Sequence, residues 1–260
     1  MPVANARMYS ATPTVKKAWH EMLAWALERA GLAWPVIDHD APAPLSTLWA
    51  REDLGCVMMC SVPYSQRSPR PRVVAAPVPS PARYGGRPVY FTDFAVRAGS
   101  RHQSLQDTFG GVIGYTLPDS MSGSVAPRRH LAGRESLYRS EVAGLLNARA
   151  VIEALDAGRI DVGPLDSYYH DLLRGNDPAF AAKVRVVEST AAAPIPPLVA
   201  TAPVDARELE RLRAALLDVA GAPELRKQRD RLLLTAFTVP EPGTYDLFGN
   251  MPSIQQGDSP

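Results

Sequence analysis

The chain has 260 residues, enough for one large domain or two small ones, each able to bury a core. Its 46% hydrophobic and 21% charged residues exclude a disordered chain, and no apolar run approaches the roughly 20 residues that a membrane-spanning helix needs. Twenty-eight basic against 27 acidic side chains leave a net charge of +1, so no whole-chain field draws the protein to nucleic acid or to an anionic membrane.

Apolar strand-like runs alternate with helical ones along the chain. Met1 to Ser10 lacks the basic stretch, apolar core and small-residue cleavage site of an export leader, so the expected location is cytoplasmic, or periplasmic if a leader has been removed. Val3 to Tyr9 reads as a strand. A helix from Thr14 to Arg29 follows, with Trp19, Met22, Leu23, Ala26 and Leu27 on one stripe, closed by Gly31. Next come a short strand at Trp34 to Ile37, a short helix near Leu45 to Ala50 and a strand from Leu54 to Met59. Within that strand-like run, Cys56 and Cys60 would sit about 13 Å apart, too far for a disulfide, and read as small buried hydrophobes. Tyr64 to Pro81 is proline-rich and reads as a loop interrupted by a brief strand at Val73 to Ala76; Arg67, Arg70 and Arg72 there are a basic patch or a solvated loop.

Val89 to Arg97, rich in aromatic and β-branched residues, predicts one long strand, and Gly111 to Tyr115 a short buried one. The polar turn from Leu117 to Ser124 leads into a helix that tolerates Pro127 in its first turn. Asn147 to Asp156 is an amphipathic helix stopped by Gly158, and Ile160 to Leu165 a strand. Asp166 and Ser167 open a helix. A short helix after Asn176 precedes strands at Lys183 to Val187 and Leu198 to Thr201. A charged helix spans Asp205 to Ala220, another starts near Pro223, and the residues from Gly243 read as a polar surface tail. The alternation predicts an α/β fold with mostly parallel sheets, and in such sheets ligands sit beyond the carboxyl ends of strands.

That rule selects three strand-to-helix turns. In Asp119-Ser120-Met121-Ser122-Gly123-Ser124, hydroxyls, a glycine and a helix start make either helix caps or an anion cradle. At Asp166-Ser167-Tyr168, the carboxylate either caps the helix or faces a cleft, where it would pair with a ligand cation beside the aromatic face of Tyr168. Cys60-Ser61-Val62-Pro63-Tyr64 is a structural turn or a ligand loop. The five histidines are scattered without metal-ligand spacing, and no glycine fingerprint follows a strand, so neither a metal nor a cofactor is expected. His170, four residues after Asp166, is either an acid–base group or a core or surface histidine.

Taken together, Met8-Tyr9, Cys60 to Tyr64, Y-F-T-D-F-A-V-R at Tyr90 to Arg97, S-L-x-D-x-x-G from Ser104, D-S-x-S-G-S from Asp119 and A-L-D-A-G-R-I-D-V-G-P-L-D-S from Ala154 resemble the phosphate/phosphonate-binding proteins of ABC importers. The likeness runs in order over about two-thirds of the chain, from Tyr9 to Leu173. It departs at Cys60 to Pro63, where many relatives carry a C-G-Y-P-like turn. The resemblance implies a two-lobed type II periplasmic-binding-protein fold with lobe one at 1–92 and 188–260, lobe two at 93–187, and a ligand cleft between them. It places Ser120, Ser122, Gly123 and Ser124 in an anion-holding turn, Thr92 at the crossover, Asp166 after the second lobe's strand, and Tyr9 and Ser61 on the first lobe's side. It implies a solute-binding protein for a small anionic or zwitterionic ligand, acting as a monomer with an ABC permease. The alternatives on this fold are a cytoplasmic enzyme and a sensing module whose charged helix, Asp205 to Ala220, docks on a partner.

Overall fold

The computed structural model describes residues 1–201 and 203–246. Strand β1 (Val3–Asn5) leads into α1 (Pro13–Arg29), then α2 (Leu45–Trp49), β2 (Leu54–Met58), α3 (Ser61–Gln66) and β3 (Arg72–Pro79). The middle of the chain supplies β4 (Val89–Tyr90), β5 (Thr92–Arg97), β6 (Val112–Gly114), α4 (Ala126–His130), β7 (Ser140–Val142), α5 (Ala148–Asp156), β8 (Gly163–Asp166) and α6 (Ser167–Asn176). After α7 (Pro178–Ala181) come β9 (Val184–Ser189), β10 (Ala193–Pro194), β11 (Leu198–Ala200), α8 (Ala206–Asp218), α9 (Arg226–Leu232) and β12 (Leu234–Thr238).

Local chemistry accounts for the helix limits. The Thr12 hydroxyl accepts from Val15 N at 3.2 Å and Pro13 occupies the first position of α1, which ends before Gly31 at a positive φ of 65°. The apolar stripe of α1 is buried against the first sheet as its spacing predicts. Asn147 caps α5, and Asp205 and Glu208 form a reciprocal capping box on α8.

Strands β1, β2, β11, β3 and β12 form one five-stranded sheet in that order; β8, β5 and β9 form a second, beside the β6–β7 pair. The two sets are joined twice. One connection runs β4 to β5 and the other β9 to β10, with β4 paired to β10 on one side and β5 to β9 on the other. Between them Thr190 N donates to Thr92 O at 2.9 Å, and Thr92 N to the Thr190 hydroxyl at 3.1 Å. The fold is α/β, but its ladders are mixed rather than mostly parallel. Among the described residues β1–β2 and β6–β7 are parallel and the other six ladders antiparallel. The chain leaves the first sheet after β3 and returns through β11 and β12 in the opposite sense, so β1, β2 and β3 keep one direction while the returning strands oppose them.

Other expectations are adjusted for identifiable reasons. β1 stops at Asn5, whose side-chain oxygen takes the Arg7 N–H at 2.8 Å and turns the chain into a single 3-10 turn over Arg7–Tyr9. The expected strand at Trp34 to Ile37 is one bridge, Val36 to Ala4. The proline-rich segment forms α3 and the eight-residue β3, and its arginines are tied down: Arg72 to the carbonyls of Thr201 and Val204, Arg67 to that of Arg51, Arg70 to Asp246. The run Val89 to Arg97 is broken at Phe91, where it passes from one sheet to the other. β12 was not expected. Of the supposed tail, Tyr245 is buried with its hydroxyl on Ile195 O at 2.7 Å, and the residues from 247 lie outside the described ones.

Candidate functional site

The carboxyl ends of β1 and β2 and the end of β4 face the second half of the chain at the turn after β6 and the start of α6. Tyr9, from the turn after β1, donates its hydroxyl to Asp166 Oδ2 at 3.1 Å. Ser122 Oγ donates to the same oxygen at 3.4 Å, and Thr92 Oγ1 to Ser122 O at 3.0 Å. Register places two of these residues side by side, because Thr92 on β5 pairs with Asp166 on β8. Cys60 joins from the first half: its Sγ accepts from Met121 N at 3.4 Å and points its S–H at Asp119 O, 4.0 Å away.

The serine turn is built differently from a simple helix start. Met121–Val125 is a single turn of π-helix followed by the five-residue α4, too short to carry much dipole. Its N–H groups are largely engaged: Ser120 N on Leu117 O at 2.9 Å, Gly123 N on Ser120 Oγ at 3.1 Å, Ser124 N and Val125 N on Ser120 O at 3.0 Å each. Ser120 is therefore the cap of the turn, and Ser124 is buried within it. A Cβ on Gly123 would lie 1.7 Å from Thr116 Oγ1, so only glycine lets the turn close onto β6's exit. What the turn presents to the other half is hydroxyl chemistry more than bare amides.

Two buried hydroxyls across from it, those of Ser61 and Tyr90, have no hydrogen-bond partner among the described residues. The Tyr90 hydroxyl lies beside Ser61 and Ser122 without reaching bonding geometry with either. An unsatisfied buried polar group costs about 1–3 kcal/mol, so the pair favours a polar occupant that can accept from both. Tyr90 was missed in the sequence, although it stands two residues before Thr92 in the Y-F-T motif. The sequence offers Cys60 both as a small buried hydrophobe and as the start of a structural turn or ligand loop, and does not show its contact with Met121 N. Tyr168 is buried: its hydroxyl donates to Leu232 O at 2.5 Å, and its ring stands edge-on to Tyr9 with centroids 4.8 Å apart. It braces Tyr9 and turns its own polar end away.

Burial dominates the electrostatics. It lifts the Asp166 carboxyl to about 7, against the opposing pull of the Tyr169 N–H at 3.0 Å and the Tyr9 hydroxyl. Asp166 caps α6 through Oδ1 and accepts from Tyr9 and Ser122 through Oδ2. Burial also raises the Tyr9 and Tyr90 phenols and pushes the Cys60 thiol up to about 11, so all three are neutral donors at neutral pH. His170 is fully buried and drops to about 3, a neutral core histidine with no line to Asp166. Two guanidinium groups, Arg7 and Arg149, flank the Tyr169 phenol at the edge of the cluster, and Arg149 Nη1 reaches Ala11 O in the first half at 3.4 Å. Among the described residues no group of three His, Cys, Asp or Glu side chains is placed to hold a metal ion, and no helix is long and apolar enough to cross a membrane.

The sequence profile described as "ABC transporter, phosphonate, periplasmic substrate-binding protein" matches residues 49–245. The chain belongs to this family. Its structure is similar to a binding protein component of an ABC phosphonate transporter from Pseudomonas aeruginosa, at 16% identity and a TM-score of 0.76, covering 94% of this chain and 83% of that one. It is equally similar to PhnD1 from Prochlorococcus marinus in complex with methylphosphonate, with 16% identity, a TM-score of 0.75 and 95% and 94% of the two chains covered. A Xanthomonas citri protein bound to chloride ion follows at 19% identity and 0.67, with 95% of each chain covered. No curated protein matches the sequence. The fold is that of the two-lobed type II periplasmic binding proteins, and the family's role is solute binding for ABC import, not catalysis.

Proposed function

We propose that this protein captures a small anionic or zwitterionic ligand, phosphate- or phosphonate-like, between lobes 1–92 with 188–260 and 93–187, and delivers it to an ABC permease in the periplasm. The ligand is carried unchanged by a monomer that needs neither metal nor cofactor. The observation that carries this reading is the pairing of unlike chemistries within one buried cluster. The orphaned Ser61 and Tyr90 hydroxyls beside Ser122 are donors for an acid group. Asp166, half-buried and bonded to Tyr9 and Ser122 from both lobes, is an acceptor for an amine.

Charge-assisted hydrogen bonds contribute roughly 1.5–3 kcal/mol each, so two or three of them outweigh the bonds that Tyr9 and Ser122 now make to Asp166. The close approach of the two lobes around the ligand excludes water and strengthens each contact. The test is a calorimetric titration with methylphosphonate, 2-aminoethylphosphonate and inorganic phosphate. Saturable binding of a phosphorus oxyanion, tighter for the amino form, is the expected result. No heat with any of the three, and no shift of the melting midpoint, would remove the phosphonate reading.

A further inference from the structure

Behind the cleft, on the side where the chain passes between lobes, lies a second polar cluster that makes no contact with the proposed ligand groups. Arg83 sits in a 3-10 turn after β3, on the first-lobe side. Its Nη2 donates to Asp93 Oδ2 at 2.7 Å, and its Nε lies 3.7 Å from Asp171 Oδ2 on α6. The neighbouring Tyr84 hydroxyl donates to the same Asp171 oxygen at 2.6 Å, while Arg174 holds the other oxygen at 3.1 Å. Asp93 is wholly buried, and its second oxygen takes the Ser189 hydroxyl at 2.7 Å, so the carboxylate ties both crossing strands together. The guanidinium also covers the ring of Phe91, the residue where the first crossing occurs, at 5.5 Å from its centroid.

This cluster is wired to the cleft by adjacent residues. Phe91 is gripped by Ser167, whose N–H donates to Phe91 O at 3.0 Å and whose Oγ accepts from Phe91 N at 2.9 Å. Ser167 follows Asp166, and Asp93 follows Thr92. Alternation along β5 sends Thr92 to the cleft and Asp93 to the opposite face, so one backbone carries both.

We propose that Arg83 is a positioning residue, a hinge clamp whose bonds to Asp93 and Asp171 fix the closed approach of the two lobes and so the meeting of Tyr9 with Asp166. The proposal rests on the cleft lying between the lobes, and its test needs no ligand. Cys60 is the reporter: it is buried against Met121 of the opposite lobe, whereas Cys56 is buried inside the first sheet. Opening the lobes frees Cys60 alone. Removing Arg83 by itself strands a buried Asp93 charge, a change that often unfolds a protein. The variants are therefore Arg83→Lys, the paired Arg83→Met with Asp93→Asn, and Tyr84→Phe.

Site-resolved mass spectrometry follows alkylation of each cysteine by iodoacetamide, alongside small-angle X-ray scattering of the unliganded protein. The paired variant is expected to raise the Cys60 rate roughly tenfold or more, the loss of a charged hydrogen bond expressed as an equilibrium, with Cys56 unchanged and a larger radius of gyration. Arg83→Lys should restore most of the protection, and Tyr84→Phe should give a smaller rise. An unchanged Cys60 rate in a folded variant, or Cys56 and Cys60 rising together, would overturn the clamp. Neither result bears on which ligand binds, which the calorimetry decides separately.

Discussion

Tyr9 and Asp166 are 157 residues apart in the chain and 3.1 Å apart in space, phenol to carboxylate, one from the turn after β1 and the other from the end of β8. That single bond joins the two halves at the place where Ser122, Thr92 and Tyr90 converge, so the titration of Asp166 is a readout of the whole site.

Asp166 makes the stability of the ligand-free protein fall as pH rises. Its carboxyl is lifted to about 7 in the folded chain, against roughly 4 when unfolded. Between these values the folded state keeps a proton that the unfolded state has lost. Stability therefore declines from about pH 4 to pH 7 and levels off above. Partial exposure of the residue holds the total decline to the order of 1–2 kcal/mol. Urea midpoints of the protein and of Asp166→Asn check this: the variant should show a flatter profile and be the more stable of the two at about pH 8. A wild-type profile that rises over the same range would contradict it.

The serines divide by role. Ser120 caps the turn through Gly123 N, so Ser120→Ala is expected to lower stability by about 1 kcal/mol and to alter affinity only secondarily. Ser122→Ala combined with Ser124→Ala should remove most of the affinity for methylphosphonate, tenfold or more, with a stability change of about 1 kcal/mol or less. Thermal melts and calorimetry on the two proteins separate the effects, and equal losses of affinity would place the ligand against Ser120 as well.

Gly123→Ala drives a methyl into Thr116, whose Oγ1 would stand 1.7 Å away. Overpacking of this kind costs about 1–3 kcal/mol. Thr116→Ala removes the nearest atoms while leaving its own Cβ at 2.7 Å, so the double variant should recover part, not all, of the lost stability. A double-mutant cycle by urea denaturation with no coupling would show that the turn relaxes elsewhere.

The turns that make up the candidate site are legible because their parts are local. Serines flanking Gly123 and an Asp at a helix start are short-range signals, and each marks a strand-to-helix turn. What escaped depends on distant pairing. Nothing near Cys60 in the chain shows that Met121 will donate to its sulfur, and Tyr90 gains its orphaned hydroxyl only when Ser61 and Ser122 are brought beside it. The same limit applies to the sheets. Leu234 to Phe237 is apolar enough for helix or strand, and only its place beside β3, after the chain has crossed twice between the two sets of strands, makes it part of β12 and antiparallel. The bond from the Tyr168 hydroxyl to Leu232 O likewise joins positions 64 residues apart, and nothing beside Tyr168 in the chain announces it.

Tyr9→Phe tests whether the bond between the lobes tunes the site or merely fills it. The Tyr9 hydroxyl favours the charged carboxylate, so its loss should move the titration of Asp166 above its present value of about 7. An amine-bearing ligand binds best when Asp166 is ionised, so affinity for 2-aminoethylphosphonate should rise with pH through about 7 in the natural protein and through a higher midpoint in the variant. At neutral pH the variant is expected to bind this probe roughly tenfold more weakly, because it loses a ligand-side donor and leaves more of Asp166 protonated. Methylphosphonate, which has no amine, should show the opposite trend, since an ionised Asp166 repels it. Calorimetric titrations across pH 5.5 to 8.5 distinguish the two, and parallel pH profiles for both probes would mean that Asp166 does not face the ligand.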